Sequence, residues 1–385
     1  MIDYDFHFSG FRGLDFTNCF TSLYLYLEGI QGENNYDCAK KQGKPCRYPD
    51  CHHRCSLTLA NHAEQHFFLF DTISGRSATV HGWGGKPTAI YREIYDTDDM
   101  IEFVMGYAGY AYEKHTDNLI AHVQTSLDNG TPVLARLKTK EPYTDVKADS
   151  FRLIIGFDGG KLQVPVPKGA QKTSKNAPKP GDIESLYVIT GKTECKYTLL
   201  DALRRIKRVM DADREAGTWD VYIRAFEDWQ NKMHELKLKD FKRLYLFARE
   251  GTTWNCHNFA ETFRTYQMNP QCPERFGTPV WEELKDPQLG AAPTRTGCPD
   301  GDPLRLDPLE LINWAFDVSH NTQWALHTLH DIRNWRSRYR RIPHSGMINW
   351  SMCDMAITLL RKVKECDSYA YEAVSKMIEI LERAS

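Results

Sequence analysis

The chain has 385 residues, 41% of them hydrophobic and 26% charged, which is typical of folded globular protein and enough for two domains. Its 49 lysines and arginines nearly balance 51 aspartates and glutamates, and the net charge of −2 argues against a nucleic-acid partner. Because the first residues are acidic and no stretch approaches the ~18 apolar residues of a membrane span, we expect a soluble, cytoplasmic protein with no membrane partner.

A cysteine lies near the start of the first predicted helix. Thr17 or Asn18 is a suitable N-cap, and the apolar positions that follow share one helix face: Leu23, Tyr26 and Leu27. The unpaired N–H groups and the positive dipole end of a helix start stabilise a thiolate, which makes Cys19 a candidate nucleophile. The alternative is a buried cysteine that serves as a small apolar core residue.

Residues 38–55 carry four cysteines and two histidines within eighteen positions: Cys38, Cys46, Cys51, His52, His53 and Cys55. In a reducing compartment such thiols are metal ligands or unpaired thiols rather than disulfides. Zinc takes four such ligands in a tetrahedron, so we expect a structural zinc on Cys38, Cys46, Cys51 and Cys55. The alternatives are reduced surface thiols and disulfides.

The rest of the first half mixes helical and strand patterns. Helices are predicted over Asp98–Glu113 and Asp117–Asp128, the second ended by Asn129-Gly130. Strands are predicted at Pro132–Leu137 and Phe151–Asp158, followed at hairpin distance by Leu162-Gln163-Val164. Helices first and strands later indicate an α+β domain, which we place at residues 1–190.

The second half, residues 191–385, is predicted to be an all-helical domain. Helical spacing of apolar residues runs through 199–210 and 356–381, whereas the Pro-rich segment 270–307 interrupts it. Residues 333–341 contain five arginines, which form either a solvated helix end or a docking surface for an acidic partner.

Several segments together resemble a known family. The Cys19 helix is followed about a hundred residues later by Ser126–Leu134 and then by a strand that ends in Gly156-Phe157-Asp158-Gly159. This order is similar to the papain-like fold of bacteriocin-processing peptidases and, more closely, to the N-terminal domain family of butirosin biosynthesis protein H. Two helical segments, 216–229 and 361–381, resemble the helical region behind that domain.

The resemblance implies a papain-like cysteine-peptidase-type fold and an acyltransferase that moves an aminoacyl group from a carrier-protein thioester to an amine. Cys19 matches the nucleophile of that family. The histidine of the family pair falls on Ser150, beside Asp149, and the oxyanion glutamine falls on Gly13. The orienting acid is also missing, because the chain reads Val164-Pro165-Val166-Pro167 where the family has an Asp-Pro strand.

We therefore expect thiol-dependent acyl transfer or amide chemistry on a small molecule, with Cys19 catalytic and an acyl carrier protein as a partner. Asn18, Asp149 and Ser150 are the candidate substrate-binding residues. Peptidase activity is not expected, because a serine hydroxyl does not accept a proton at neutral pH as an imidazole does. His7 and His81 are alternative sources of a base. The competing hypothesis is a catalytically silent papain-like protein that binds a small molecule or peptide.

Overall fold

The computed structural model describes much of the first half of the chain and separate parts of the second. The described residues are 1–9, 14–30, 59–78, 97–138, 150–165, 177–217, 219–220, 223–224, 227–228, isolated positions between 304 and 318, and 346–384. The chain divides into two compact units. Unit 1 consists of Met1–Asp71 and Tyr95–Thr198, and unit 2 consists of Thr72–Ile94 and Leu199–Ser385.

The described part of unit 1 contains helices and antiparallel strands. The helices are α1 (Phe16–Leu27), α2 (Leu59–Ile73, whose last two residues are assigned to unit 2), α3 (Asp98–Ala108) and α4 (Leu119–Asp128). The strands are β1 (Tyr110–His115), β2 (Val133–Leu137), β3 (Phe151–Ile154), β4 (Gly156–Asp158), β5 (Lys161–Gln163) and β6 (Ile183–Lys192).

Four strands form one antiparallel sheet in the order β1-β6-β2-β3, and β4 and β5 form a separate hairpin. On the central strand β2, Arg136 lies opposite Phe151 of β3 and Ser185 of β6. Successive side chains of a strand point to opposite faces, so Arg136 shares one sheet face with Leu134, while Ala135 belongs to the other.

Helix α1 is a core helix with an aromatic face, and it contacts β2 and β3. The rings of Phe16 and Phe20, four residues apart, stack with centroids 5.5 Å apart. The Phe16 ring meets Phe151 of β3 at 5.5 Å, and the Phe20 ring meets Phe70 of α2 at 4.9 Å. These rings tie α1 to the sheet and to α2 at the same time.

Helix α4 packs against strand residues through a second apolar cluster. Val123 of α4 is buried with Val133 and Ala135 of β2, Ile154 of β3 and Leu186 of β6. The β-branched residues of this cluster suit a pleated, buried surface. This core holds the β2–β3 pair in place.

The segment 98–113 differs from its prediction as one helix. Helix α3 ends at Gly109, whose φ of 75° is left-handed, and the chain continues as strand β1. A Cβ at Gly109 would lie 2.9 Å from the carbonyl oxygen of Thr193, so this turn requires glycine for both its conformation and its space. The prediction missed the change because a glycine within a helical pattern does not by itself end a helix, and α3 passes through Gly106 without ending there.

The predicted strand Phe151–Asp158 is also divided. Residues up to Ile154 belong to the large sheet, and Gly156–Asp158 pairs instead with β5. Strand β6 was not predicted. The other predicted elements of the described residues are confirmed. They are the strand at 132–137, the hairpin, the helix ended by Asn129-Gly130, and the helical segments 199–210 and 356–381.

Unit 2 contains helix α5 (Leu199–Glu215) and the long helix α6 (Gly346–Ala384), which contact one another. Arg204 near the start of α5 pairs with Glu382 at 2.7 Å, and Arg214 near its end approaches Ser368 at 3.5 Å, so the two helices run antiparallel. The described chain is therefore α+β: helices with antiparallel sheets, followed by a long C-terminal helix.

Candidate functional site

Helix α1 begins with a side-chain cap from Asp15. Its Oδ1 accepts a hydrogen bond from the backbone N–H of Asn18 at 2.9 Å and another from the hydroxyl of Thr17 at 3.0 Å. The prediction that Thr17 or Asn18 caps the helix is wrong, because the preceding carboxylate reaches both of them. Asp15 is buried, so the positive end of the helix dipole faces an acidic group of the chain itself.

Cys19 is the fourth residue of α1 and has 0% exposed surface. Its N–H donates to the carbonyl oxygen of Asp15 at 3.0 Å, which is the ordinary helical bond. The residue therefore lies within the first turn rather than ahead of it. Among the described cysteines, Cys19, Cys195 and Cys366 are thiols and not parts of disulfides. A substrate reaches the Cys19 sulfur only if neighbouring groups move.

The side-chain amide of Asn18 holds the N-terminal segment. Its Oδ1 accepts the N–H of Ser9 at 2.8 Å, and its Nδ2 donates to the carbonyl oxygen of Ser9 at 3.1 Å. Both residues are fully buried. A substrate that used Asn18 would have to replace this pair of bonds, so the geometry gives the residue a structural use.

Ser150 lies directly before β3 and close to the segment that leads into α1. The N–H of the next residue, Phe151, donates to the carbonyl oxygen of Leu14 at 2.8 Å. The carbonyl oxygen of Ser150 accepts the N–H of Leu137 at 2.9 Å, and the residue is buried. The structure thus brings the start of α1, the end of β2 and the start of β3 together. Asp149 and Gly13 lie outside the described residues.

Two histidines are described near the N-terminal segment and α1. His7 lies 3.2 Å from the carboxylate of Asp5 through its Nε2. His66 of α2 is buried, and its ring lies 5.4 Å from that of Tyr24, more than one helical turn after Cys19. His7 was one of the two predicted alternative bases, and the contact seen for its ring is to Asp5. His66 was not predicted, and His81, the other alternative base, lies outside the described residues.

A polar cluster, missed by the sequence reasoning, lies on the sheet face that carries Phe151. Asp98, at the start of α3, accepts from the Tyr187 hydroxyl at 2.6 Å and from Arg136 at 3.2 Å through Oδ1, and from Lys114 at 2.6 Å through Oδ2. The Arg136 guanidinium lies 5.6 Å from the ring centroid of Phe151 and 5.4 Å from that of Tyr187. We call these five residues the Asp98 cluster.

The Asp98 cluster favours ionised Asp98 and a neutral Tyr187. Burial alone would raise the pKa of Asp98, but hydrogen bonds from Lys114 and Tyr187 and the charge of Arg136 outweigh it and lower this pKa. Burial and the hydrogen bond to Asp98 raise the pKa of Tyr187. The cluster connects α3 with all four strands of the sheet, β1, β2, β3 and β6. The one sequence signal for it was an arginine within the apolar strand 132–137.

The predicted zinc ligands Cys38, Cys46, Cys51 and Cys55 lie outside the described residues, as do the arginines of 333–341. Among the residues that the structure does describe, no three His, Cys, Asp or Glu side chains group together in a way that could hold a metal ion. Within the same part of the chain, no helix has both the length and the apolar content needed to cross a bilayer.

Comparison of the chain with protein-family models, with curated proteins and with solved structures gives no match in any of the three.

Proposed function

We propose that unit 1 is a catalytically silent papain-like domain that binds a small molecule or peptide. The papain-like assignment is supported by the position of α1, which lies on the antiparallel strands β2 and β3 as the cysteine helix lies on the sheet in that family. It is also supported by the bond between Phe151 and Leu14, which joins the first residues of β3 to the segment before α1.

The complete burial of Cys19 is the observation that carries the proposal. A thiol nucleophile must be reached by an acyl carbon, and here the first turn of α1 is closed by internal contacts. Asp15 binds Thr17 and Asn18, and Asn18 in turn binds Ser9. These polar groups are used to fix the helix start, so Cys19 serves as a small core residue.

The residue type at position 150 supports the same conclusion. The family resemblance puts the general base there, and the chain has a serine, which cannot take a proton from a thiol at neutral pH. Ser150 is also buried, with its carbonyl group used in the β2–β3 ladder. The resemblance implies an imidazole at this position, and Ser150 does not supply one.

A second candidate is thiol-dependent acyl transfer through Cys19, favoured by the meeting of the starts of α1 and β3 near Leu14 and Phe151. In that reaction the Cys19 sulfur would attack the carbonyl of a carrier-protein thioester and release the carrier thiol. An amine of a small-molecule substrate would then attack the acyl-cysteine and form the amide, and the proton that the amine loses would pass to the released Cys19 thiolate and restore the thiol.

Labelling of the native protein with iodoacetamide, followed by peptide mass spectrometry, separates the two candidates. The chain supplies its own references, because Cys195 is exposed and Cys366 is buried. The binding-module proposal predicts that Cys19 is labelled as slowly as Cys366. Labelling of Cys19 as fast as Cys195 would overturn it.

A second measurement tests the chemistry directly. The protein is mixed with a small acyl thioester, and the intact mass is recorded with the Cys19→Ser variant as the matched control. No acyl adduct is expected on Cys19 in the wild-type protein. An adduct that forms in the wild type, disappears in Cys19→Ser and is discharged by an added amine would establish acyl transfer instead.

A further inference from the structure

The donors of the Asp98 cluster converge on one point at the surface of unit 1. Three side chains donate to its carboxylate, those of Lys114 at 2.6 Å, Arg136 at 3.2 Å and Tyr187 at 2.6 Å. The Asp98 side chain is 54% exposed, whereas the Arg136 side chain is 15% exposed. The protein therefore encloses the guanidinium donor, and the carboxylate that the donors share lies on the solvent side.

The strands hold these donors in place without help from Asp98. Lys114 of β1 lies opposite Tyr187 of β6 in the sheet, and its ammonium group is 5.9 Å from the centroid of the Tyr187 ring. The Arg136 guanidinium of β2 lies over two rings, those of Phe151 and Tyr187. Because the strand register and the rings position the two cations, the same donors remain in place for another acceptor.

Ser185 adds a donor that Asp98 does not use. It lies opposite Arg136 in the β2–β6 pair and two residues before Tyr187, so its side chain belongs to the same sheet face. The residue is 1% exposed, and its hydroxyl makes no hydrogen bond of ordinary geometry with any described group. That hydroxyl nevertheless lies close to the hydroxyl of Tyr187, because it opposes the rise in the Tyr187 pKa that burial causes. Buried hydroxyl groups are ordinarily hydrogen-bonded, so this unused donor favours an acceptor that the chain itself does not supply.

The donors outnumber the oxygens and the charge that Asp98 provides. Its two oxygens and single negative charge face two cations, Lys114 and Arg136, and the hydroxyl of Tyr187, which burial keeps neutral. Although burial raises the pKa of Asp98, these groups lower it overall, so they favour an anion at this position. The start of α3 lies there as well, and the N-terminal end of a helix favours an anion. A phosphate group has three acceptor oxygens and about two negative charges, which suits four donors and two cations.

We propose that the Asp98 cluster and Ser185 form a binding site for a phosphate group, and that the Asp98 carboxylate occupies the site until a phosphate displaces it. The half-exposed Asp98 side chain turns toward solvent, and the phosphate oxygens then accept hydrogen bonds from all four donors. Asp99 lies about 100° further round α3, so its charge is on another side of the helix. The site gives a ligand class to the binding function proposed for unit 1, on which its biological use rests. It does not depend on the state of Cys19.

Isothermal titration with inorganic phosphate at constant ionic strength tests the site. Asp98→Asn should bind phosphate about tenfold more tightly than the wild-type protein, because the competing charge is gone. In the Asp98→Asn protein, Ser185→Ala and Arg136→Gln should each weaken binding about tenfold, since each removes a hydrogen bond to a charged group. Arg204→Gln, which changes a half-exposed arginine of unit 2, is the matched control and should leave the affinity unchanged. No binding to Asp98→Asn, or equal binding after either of the two further changes, would overturn the proposal.

Amide resonances of the wild-type protein give a test that does not depend on a variant folding. On addition of phosphate, the amides of Asp98, Lys114 and Ser185 should shift along one saturable curve, while chloride at the same ionic strength leaves them unmoved. Movement of none of these amides, or movement without saturation, would overturn the proposal. Phenyl phosphate distinguishes the source of the group: tighter binding than inorganic phosphate indicates a phosphorylated small molecule, and equal or weaker binding indicates free phosphate. Labelling of Cys19 tests the proposed function separately, so that either proposal can fail alone.

Discussion

Substitution of Asp15 by alanine tests whether the closed helix start is what buries Cys19. The change removes the N-cap, which contributes about 1 kcal/mol in typical helices and up to about 2 kcal/mol in buried ones. It also removes the acceptor of the Thr17 hydroxyl, bound at 3.0 Å, and hydrogen bonds to charged groups contribute about 1.5–3 kcal/mol. Because Asp15 is buried, we expect a total loss of about 2–4 kcal/mol. Asp15→Asn keeps an acceptor at the same position and should lose less.

Urea unfolding gives the stability, and iodoacetamide labelling of Cys19 gives the opening of the first turn. A loss of about 2 kcal/mol confined to that turn corresponds to an about thirtyfold faster labelling of Cys19. Val123→Ala is the control, because it weakens the core between α4 and the sheet without touching α1. The reasoning is refuted if Asp15→Ala leaves stability unchanged, or if Val123→Ala accelerates Cys19 labelling equally at the same loss of stability.

Three further outcomes are expected. Asp98→Asn should lower the free energy of unfolding by up to about 1 kcal/mol at neutral pH, a small value because Asp98 is half exposed. Since folding lowers the pKa of Asp98, its stabilising contribution is present above the ordinary aspartate pKa and is lost as the pH falls through the folded value. Urea unfolding at decreasing pH should therefore give wild-type and variant stabilities that converge. Elemental analysis of protein purified without added metal should find about one zinc, reduced in a Cys51→Ser, Cys55→Ser double variant; no metal, with all thiols titratable, would disprove the zinc hypothesis. The double change of Arg338→Ala and Arg340→Ala should shift stability by under about 0.5 kcal/mol. If residues 333–341 dock an acidic partner such as a carrier protein, the change should also weaken binding, and the loss should shrink at high salt. Equal binding at low salt would mean that these arginines form only a solvated helix end.

The parts of the fold that the sequence predicted are those with a local cause. Asn129-Gly130 ends α4 because the glycine supplies a left-handed turn, and the helical spacing at 199–210 and 356–381 needs no distant partner to be recognised. Gly109 has the same kind of local signal, but the strand that follows it depends on pairing with β6, some eighty residues later. Its sequence, Tyr110–His115, alternates too weakly to indicate a strand alone.

The sequence predicted which residues belong to the candidate site but not the contacts that they make. A cysteine in an apolar helix and a serine before a strand were both visible in the sequence, and the structure brings their elements together. The Asp98 cluster could not be predicted, because its members come from α3, β1, β2, β3 and β6. Such a cluster depends on the order of strands in the sheet, which no short stretch of sequence encodes.

The cysteine helix also shows why a motif at a helix start is ambiguous. The start of a helix favours a thiolate because its N–H groups and its dipole are directed at the sulfur. In α1 the carboxyl group of Asp15 already occupies that position and accepts the N–H of Asn18. A thiolate at Cys19 would form in a turn that is fully buried and already closed by the hydrogen bonds of Asp15. Burial and these internal bonds are the physical reasons to propose that Cys19 is a core residue rather than a nucleophile.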